Sequence, residues 1–191
     1  MKFVSKAIAS AVVAGTLLAT PMANAAAVLP SWRPSWDPTA VVEADVNPEH
    51  AEGTITDVSF TSSADGSKTV KRGQWAHVTA TGSDFTPGHY YTVRIVLQTP
   101  GDGFDYGVYS WKTYQALEDG TLNLDFQVAI PNRAVSGEQV LAGIRVYSAD
   151  DVGRDGRPNK VDEDCVLRCE TVAPLAATTD LNDEGSIITI A

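Results

Sequence analysis

The sequence predicts an all-β protein, and three observations carry that expectation. From Gly53 onward apolar residues alternate with polar ones, the mark of strands buried on one face. Clusters of Gly, Pro, Asn and Asp interrupt the alternation at short intervals, as reverse turns do. Almost no stretch of this region keeps the 3.6-residue period of an amphipathic helix, so no helix is required. Short strands and frequent turns together specify an immunoglobulin-like antiparallel β-sandwich of about seven to eight strands. A length of 191 residues and a hydrophobic content of 43% suit one globular domain behind an N-terminal leader.

The chain opens with Lys2 and Lys6, an apolar run from Ala7 to Leu18, then Pro21 and the small-residue ending Ala23-Asn24-Ala25. This order is that of a secretory signal peptide over 1–25, cleaved after Ala25. The run is too short to span a membrane, and no second one follows. No cysteine follows the cleavage point directly and no sorting motif precedes Ala191. The expected product is therefore secreted and extracellular, free or loosely associated with the cell surface. The formal charge of −10 disfavours nucleic acid and anionic lipid as partners, so no membrane contact is expected once the signal is cleaved.

Residues 26–52 carry Pro30, Pro34, Pro38 and Pro48 and the near-repeat SWRPSWDP. Proline removes ladder donors and holds its neighbours extended, so this stretch reads as an N-terminal arm. Trp32 and Trp36 are its candidate binding residues. The alternative is that they pack back on the domain, because exposed paired tryptophans are unusual in a soluble protein.

The domain proper spans 53–191. In its first strand Thr56, Val58 and Phe60 share a face, which places Thr54 and its hydroxyl on the core side. Asp65-Gly66-Ser67-Lys68 turns the chain, Trp75 to Thr81 forms a strand, and Phe85-Thr86-Pro87-Gly88 turns it again. In His89 to Thr99, Tyr91, Val93, Ile95 and Leu97 alternate with Thr92, Arg94 and Gln98. That is a one-sided pattern broken only by Val96. A Gly- and Asp-rich turn over Pro100 to Asp105 leads to a weaker strand region, Tyr106 to Leu117. Leu122, Leu124, Phe126, Val128 and Ile130 alternate with Asn123, Asp125 and Gln127, again one-sided. Val140 to Tyr147 follows, then a polar insertion over 148–170, then Thr171 to Thr178. The last strand sets Ser186, Ile188 and Ile190 towards the core and Ile187 and Thr189 away from it.

Within the insertion, Cys165 and Cys169 are the only cysteines. In an exported protein this even pair reads as a local disulfide. Closing so short a loop stabilises by roughly 2 kcal/mol at best. Zinc would need further Cys or His ligands, and none lies between Gly101 and Ala191. Asp151, Asp155, Asn159 and Asp162 echo part of a calcium loop with Gly156 at its turn. Gly153 sits at a usual ligand position and no helices flank the loop, so the expectation is a solvated acidic loop without metal or cofactor. No G-x-S-x-G, H-E-x-x-H or phosphate-binding glycine loop is present, and His50, His77 and His89 are scattered. The chain reads as a non-enzyme.

Four segments fall in a telling order: GTITD at Gly53–Asp57, FTPGHYYTV at Phe85–Val93, VLAGIRVY at Val140–Tyr147 and DLNDEGS at Asp180–Ser186. Together they resemble the T-Q ester-bond domains, also called VaFE repeats, of Gram-positive surface proteins. In that family a first-strand threonine bonds covalently to a last-strand glutamine. The resemblance puts Thr54 at the threonine, Ser186 at the glutamine, Ile144 at a buried glutamate and Thr178 at a histidine. A supporting aspartate falls where His77 and Val78 stand. Ester formation needs an acyl donor and groups to shuttle the proton, and only the nucleophile is left. Val140, Ala142, Ile144 and Val146 form one apolar face, so Ile144 simply packs there, worth about 1.5–3 kcal/mol. The resemblance thus implies the frame without the bond.

The expected function is a secreted, non-enzymatic β-sandwich module with a structural or adhesive role at the bacterial surface. Its partner would be a protein or cell-surface component. Two alternatives stand beside it: a ligand-binding or inhibitory module using the tryptophan arm or acidic loop, and an active self-crosslinking domain.

Overall fold

Alternation becomes two packed sheets in the computed structural model, which describes residues 46–100, 105–161, 170–178 and 183–191. All of these belong to one of the two units into which the chain divides, Pro34–Ala191. The expected signal peptide, Trp32, Trp36, Asp162 and the Cys165–Cys169 pair lie outside the described residues. The strands are β1 (Thr54–Ser62), β2 (Thr69–Val70), β3 (Trp75–Ser83), β4 (Tyr90–Gln98), β5 (Asp105–Gln115), β6 (Leu122–Ala129), β7 (Gln139–Ser148), β8 (Ala176–Ala177) and β9 (Ile187–Ile190). One sheet runs β1-β3-β6 and the other β2-β9-β7-β4-β5, with β8 also pairing with β7. The β2 and β8 segments are two residues each, too short to show as alternation, which lifts the strand count above the expected range. Every pairing among the described strands is antiparallel except that of β2 with β9. The expected immunoglobulin-like sandwich is the fold.

Its core lies between the sheets, where Phe60, Val78 and Phe126 join Val93, Ile95 and Ile188 in one buried cluster. Val140, Ala142, Ile144 and Val146 are each 0% exposed, as their shared face requires. Ser186, Ile188 and Ile190 also point inward, although Ser186 closes a 3-10 turn, Glu184–Ser186, that leads into β9. No helix among the described residues is long and apolar enough to cross a membrane.

Two expectations fail, each for a local reason. In β1 the register against β3 slips between Thr56 and Ser59, where Asp57 takes a φ of 53°. Aspartate tolerates that left-handed conformation, and the extra residue of a bulge reverses side-chain parity. Phe60 pairs with Val78 and Ile55 with Gly82 on the inner side. Thr54 and Thr56, before the bulge, are exposed on the outer side, so the Thr54 hydroxyl does not face the core.

In β4 the expected wet face is dry. Thr92, Arg94 and Val96 are as buried as Val93 and Ile95. The cover is the insertion, whose first turn, Ala149–Asp151, packs on β4. Bridges of Val152 with Pro158 and Lys160 with Thr171 then fold it into a cap. Gly156 of this cap rests on the indole of Trp111, which pairs with Arg94 across β4 and β5. A Cβ on Gly156 would lie 2.3 Å from Trp111 Nε1, and its φ of +75° also favours glycine. Beneath the cap Arg94 pairs with Arg145, and the Arg94 guanidinium carbon lies 5.8 Å from the centre of the Tyr147 ring. Burial raises the Tyr147 pKa against the pull of Arg94 and Arg145, and burial lowers that of Arg145.

Candidate functional site

The start of β1 and the FTPG turn, two of the segments that carry the resemblance, meet in space. Gly53, with a φ of +75°, lies under the Phe85 ring, where a Cβ would come within 2.5 Å of Cζ. Gly82 on β3 makes room for the same ring. Phe85 meets Tyr91 edge to face at 5.0 Å between ring centres, a favoured aromatic geometry. Glu52 Oε1 accepts from the Thr86 backbone N–H at 2.7 Å and from the Tyr91 hydroxyl at 2.5 Å. Burial pushes the Glu52 carboxyl pKa up, but hydrogen bonds from Thr86 and Tyr91 outweigh it and hold the carboxyl below its ordinary value. Burial, helped by Glu52, moves Tyr91 the other way.

Across the sandwich, Thr178 acts through its side chain as a rung of the sheet. Its Oγ1 accepts from the Ile144 backbone N–H at 3.0 Å, while its own N–H donates to the Ile144 carbonyl at 3.0 Å. At the far end of the same β7 edge, the Ser186 hydroxyl donates to the Asp183 carbonyl at 2.8 Å. Lys68 Nζ donates to the carbonyls of Glu184 at 3.0 Å and Gly185 at 2.6 Å, closing the end of the 3-10 turn. Burial lowers the Lys68 pKa against Asp183 and Glu184. A Cβ on Gly185 would lie 2.3 Å from the Val58 carbonyl, so the turn sits against the β1 bulge. Ile144 and Thr178 are thus brought together and Ser186 is interior, but Thr54 is turned to the outer face. Among these described residues the hydroxyls of Thr178 and Ser186 are engaged with backbone groups.

Asp155 and Asn159, two of the calcium candidates, serve the cap's own turn. Asp155 Oδ1 accepts from the Arg157 N–H at 3.2 Å, and Asn159 Nδ2 donates to the Asp150 carbonyl at 3.2 Å. The Asp151 carbonyl accepts from the Asn159 N–H at 2.8 Å. Among the described residues no three His, Cys, Asp or Glu side chains come together as metal ligands. His50 lines an open cleft of ≈ 800 Å³ with Asp151, Glu170 and Thr171. His77 lies on the outer face of the smaller sheet with Nε2 3.0 Å from Asp125 Oδ1.

No family model matches this chain, and no curated protein matches it. It is similar to two crystal forms of a bacterial adhesin from Mobiluncus mulieris containing intramolecular disulfide, isopeptide and ester bond cross-links. Identity is 12% in both, with TM-scores of 0.51 and 0.52 over 72% and 73% of this chain. The fold is shared with that adhesin. This chain spans 56% and 57% of the two adhesin chains it matches.

Three residues that organise this frame escape the sequence reading. Glu52 falls inside the proline-rich stretch assigned to an arm, yet its carboxylate anchors the FTPG turn. Lys68 reads as the end of a turn and caps another turn far along the chain. Asp57 reads as one more strand residue and sets the bulge. Only Asp57 carries a usable signal, since aspartate is among the few side chains that favour positive φ.

Proposed function

We propose that this chain is a secreted, non-enzymatic module of the bacterial surface, built on the frame of a T-Q ester-bond domain but without its covalent cross-link. One observation carries the reading: Thr54 lies on the outer face of β1, whereas Ser186 is interior with its hydroxyl bonded to the Asp183 carbonyl. Acyl transfer requires nucleophile, acyl carbon and proton shuttle within hydrogen-bonding reach. Here the two ends point apart, and Ile144 offers no proton. Rigidity then comes from packing, from the Lys68 clamp on the final turn and from the Glu52 anchor. The shared fold with a cross-linked adhesin supports a structural or adhesive role.

Intact mass spectrometry of the exported protein tests this. The expected mass is that of residues 26–191, less only hydrogens lost if Cys165 and Cys169 pair. An ammonia-sized deficit that survives reduction and maps to Thr54 would overturn the reading.

A further inference from the structure

The bulge that turns Thr54 outward also extends a surface that the frame does not use. On the outer face of the smaller sheet, cross-strand register sets Trp75 beside Ala129, His77 beside Gln127 and Thr79 beside Asp125. Trp75 is 57% exposed although it stands on the middle strand, because Ala129 is too small to cover an indole. The polar groups next to it are already held. Gln127 Oε1 accepts from the Ser63 hydroxyl at 2.8 Å, and His77 Nε2 meets Asp125 Oδ1 at 3.0 Å. Among the described residues nothing pairs with Gln127 Nε2 or Asp125 Oδ2, so both retain capacity for a ligand. No Lys, Arg or Glu occurs in β1, β3 or β6, in a chain of which 20% is charged.

We propose that this face binds a neutral oligosaccharide, with Trp75 as stacking platform and Gln127, Asp125 and His77 as polar contacts. A pyranose ring offers an apolar face of weakly positive C–H groups, which suits the negative face of an indole. Its rim offers hydroxyls that both donate and accept, which suits amide, carboxylate and imidazole. A neutral ligand brings no ionic charge to strip of water, and side chains fixed by mutual hydrogen bonds lose little freedom on binding. Other partners fit less well. Nucleic acid needs Lys and Arg that β1, β3 and β6 lack, and acidic glycans meet a chain of net charge −10. A stable protein partner needs an apolar centre, whereas one indole stands here in a polar field. From Trp75 to Thr81 the platform runs about 20 Å, room for several sugar rings.

This inference deepens the adhesive reading above and rests on the chain being a binding module. Its test uses the exported protein on an array of neutral hexasaccharides (β-1,4-glucan, β-1,4-N-acetylglucosamine, α-mannan and β-galactan) beside sialylated and sulfated glycans. Wild type is expected to be retained on at least one neutral glycan. Trp75→Ala should weaken that retention roughly tenfold or more, the size expected for loss of an aromatic platform. Gln127→Ala should weaken it less, and Trp111→Phe, on the other sheet, not at all. Matching melting temperatures for Trp75→Ala and wild type would show the fold intact, as the exposure of Trp75 predicts. No retention on any neutral glycan, retention undiminished in Trp75→Ala, or a preference for acidic glycans would each overturn the proposal. The mass measurement above is independent: a cross-linked chain that binds neutral glycan would sink the earlier reading and leave this one standing.

Discussion

The two sheets show the same alternation on their inner faces and opposite fates on their outer ones. Strands β3 and β6 leave His77, Thr79, Asp125 and Gln127 to water, or nearly so, while β4 buries Thr92 and Arg94 beneath a cap. In sequence the two outer faces look alike. What differs is supplied from far along the chain: an insertion after β7 folds back over the larger sheet, and nothing among the described residues returns over the smaller one. Period two therefore reports which residues face the partner sheet. Whether the other face stays wet depends on a segment with no period of its own.

Placing a charge on the face the two sheets share should have the largest effect. Ile144 is 0% exposed, with Ala142 and Val146 beside it on the same inward face. Ile144→Glu should destabilise the fold by roughly 4 kcal/mol, the cost of forcing a carboxyl into a site without partners. Urea unfolding at neutral pH measures it. A variant as stable as wild type would mean the site can still host the acid that the resemblance assigns there.

Next in size is the cap. Gly156→Ala places a methyl against the Trp111 ring at a positive φ, and should cost about 2–3 kcal/mol. Gly66→Ala is its control, with a φ of +72° but open space around the added Cβ, and should cost about 1 kcal/mol. The excess for Gly156 measures the docking of cap on sheet. Hydrogen exchange should rise across residues 149–161 in Gly156→Ala alone. Equal costs and unchanged exchange would show that the cap does not depend on this contact.

A smaller effect belongs to the seam where arm, β1 and the FTPG turn join. The Glu52 pKa in the fold lies below its ordinary value of 4.5. A carboxyl depressed by folding stabilises most above its unfolded pKa, and that stability is lost as pH falls through the folded value. Stability measured from pH 7 down to pH 3 should therefore decline more steeply in wild type than in Glu52→Gln, below pH 4.5. At neutral pH Glu52→Gln should cost about 1 kcal/mol, since Glu52 is only half-buried and solvent screens it. Parallel acid profiles would remove Glu52 from the account.

Most of the frame was legible in the sequence because burial on one face leaves a period behind. The long strands, the inward set Val140, Ala142, Ile144 and Val146, and the core direction of Ser186 all follow from it. Three kinds of information were not legible. The cap over β4 is a non-local cover, and only Val96, an apolar residue out of phase, hinted at it. The partners of Lys68 are backbone carbonyls, which any sequence supplies and none advertises. The bulge in β1 is a single residue of phase error, and a period counted through it returns the wrong face for everything before it.

That phase error decides the smallest prediction and the one that bears most on the candidate site. Counted without a break from Phe60, Thr54 falls inside the core; counted through the bulge at Asp57, it falls outside. The two placements differ in what Thr54→Val should do. An interior threonine hydroxyl would hold a hydrogen bond, and replacing it with a methyl would shift stability by about 1 kcal/mol or more. An exposed threonine on an outer strand loses a hydroxyl that water already serves, and valine fits a strand equally well. The change should therefore stay within about 0.5 kcal/mol of zero. Asp57→Val separates the bulge from the residue, because valine does not tolerate the φ of 53° found there and should cost about 1 kcal/mol or more. If Thr54→Val proves costly and Asp57→Val neutral, β1 runs without the bulge. Thr54 would then point into the core, and the outer face of the smaller sheet would lose Thr54 and Thr56 at the end opposite Ser83 and Thr81.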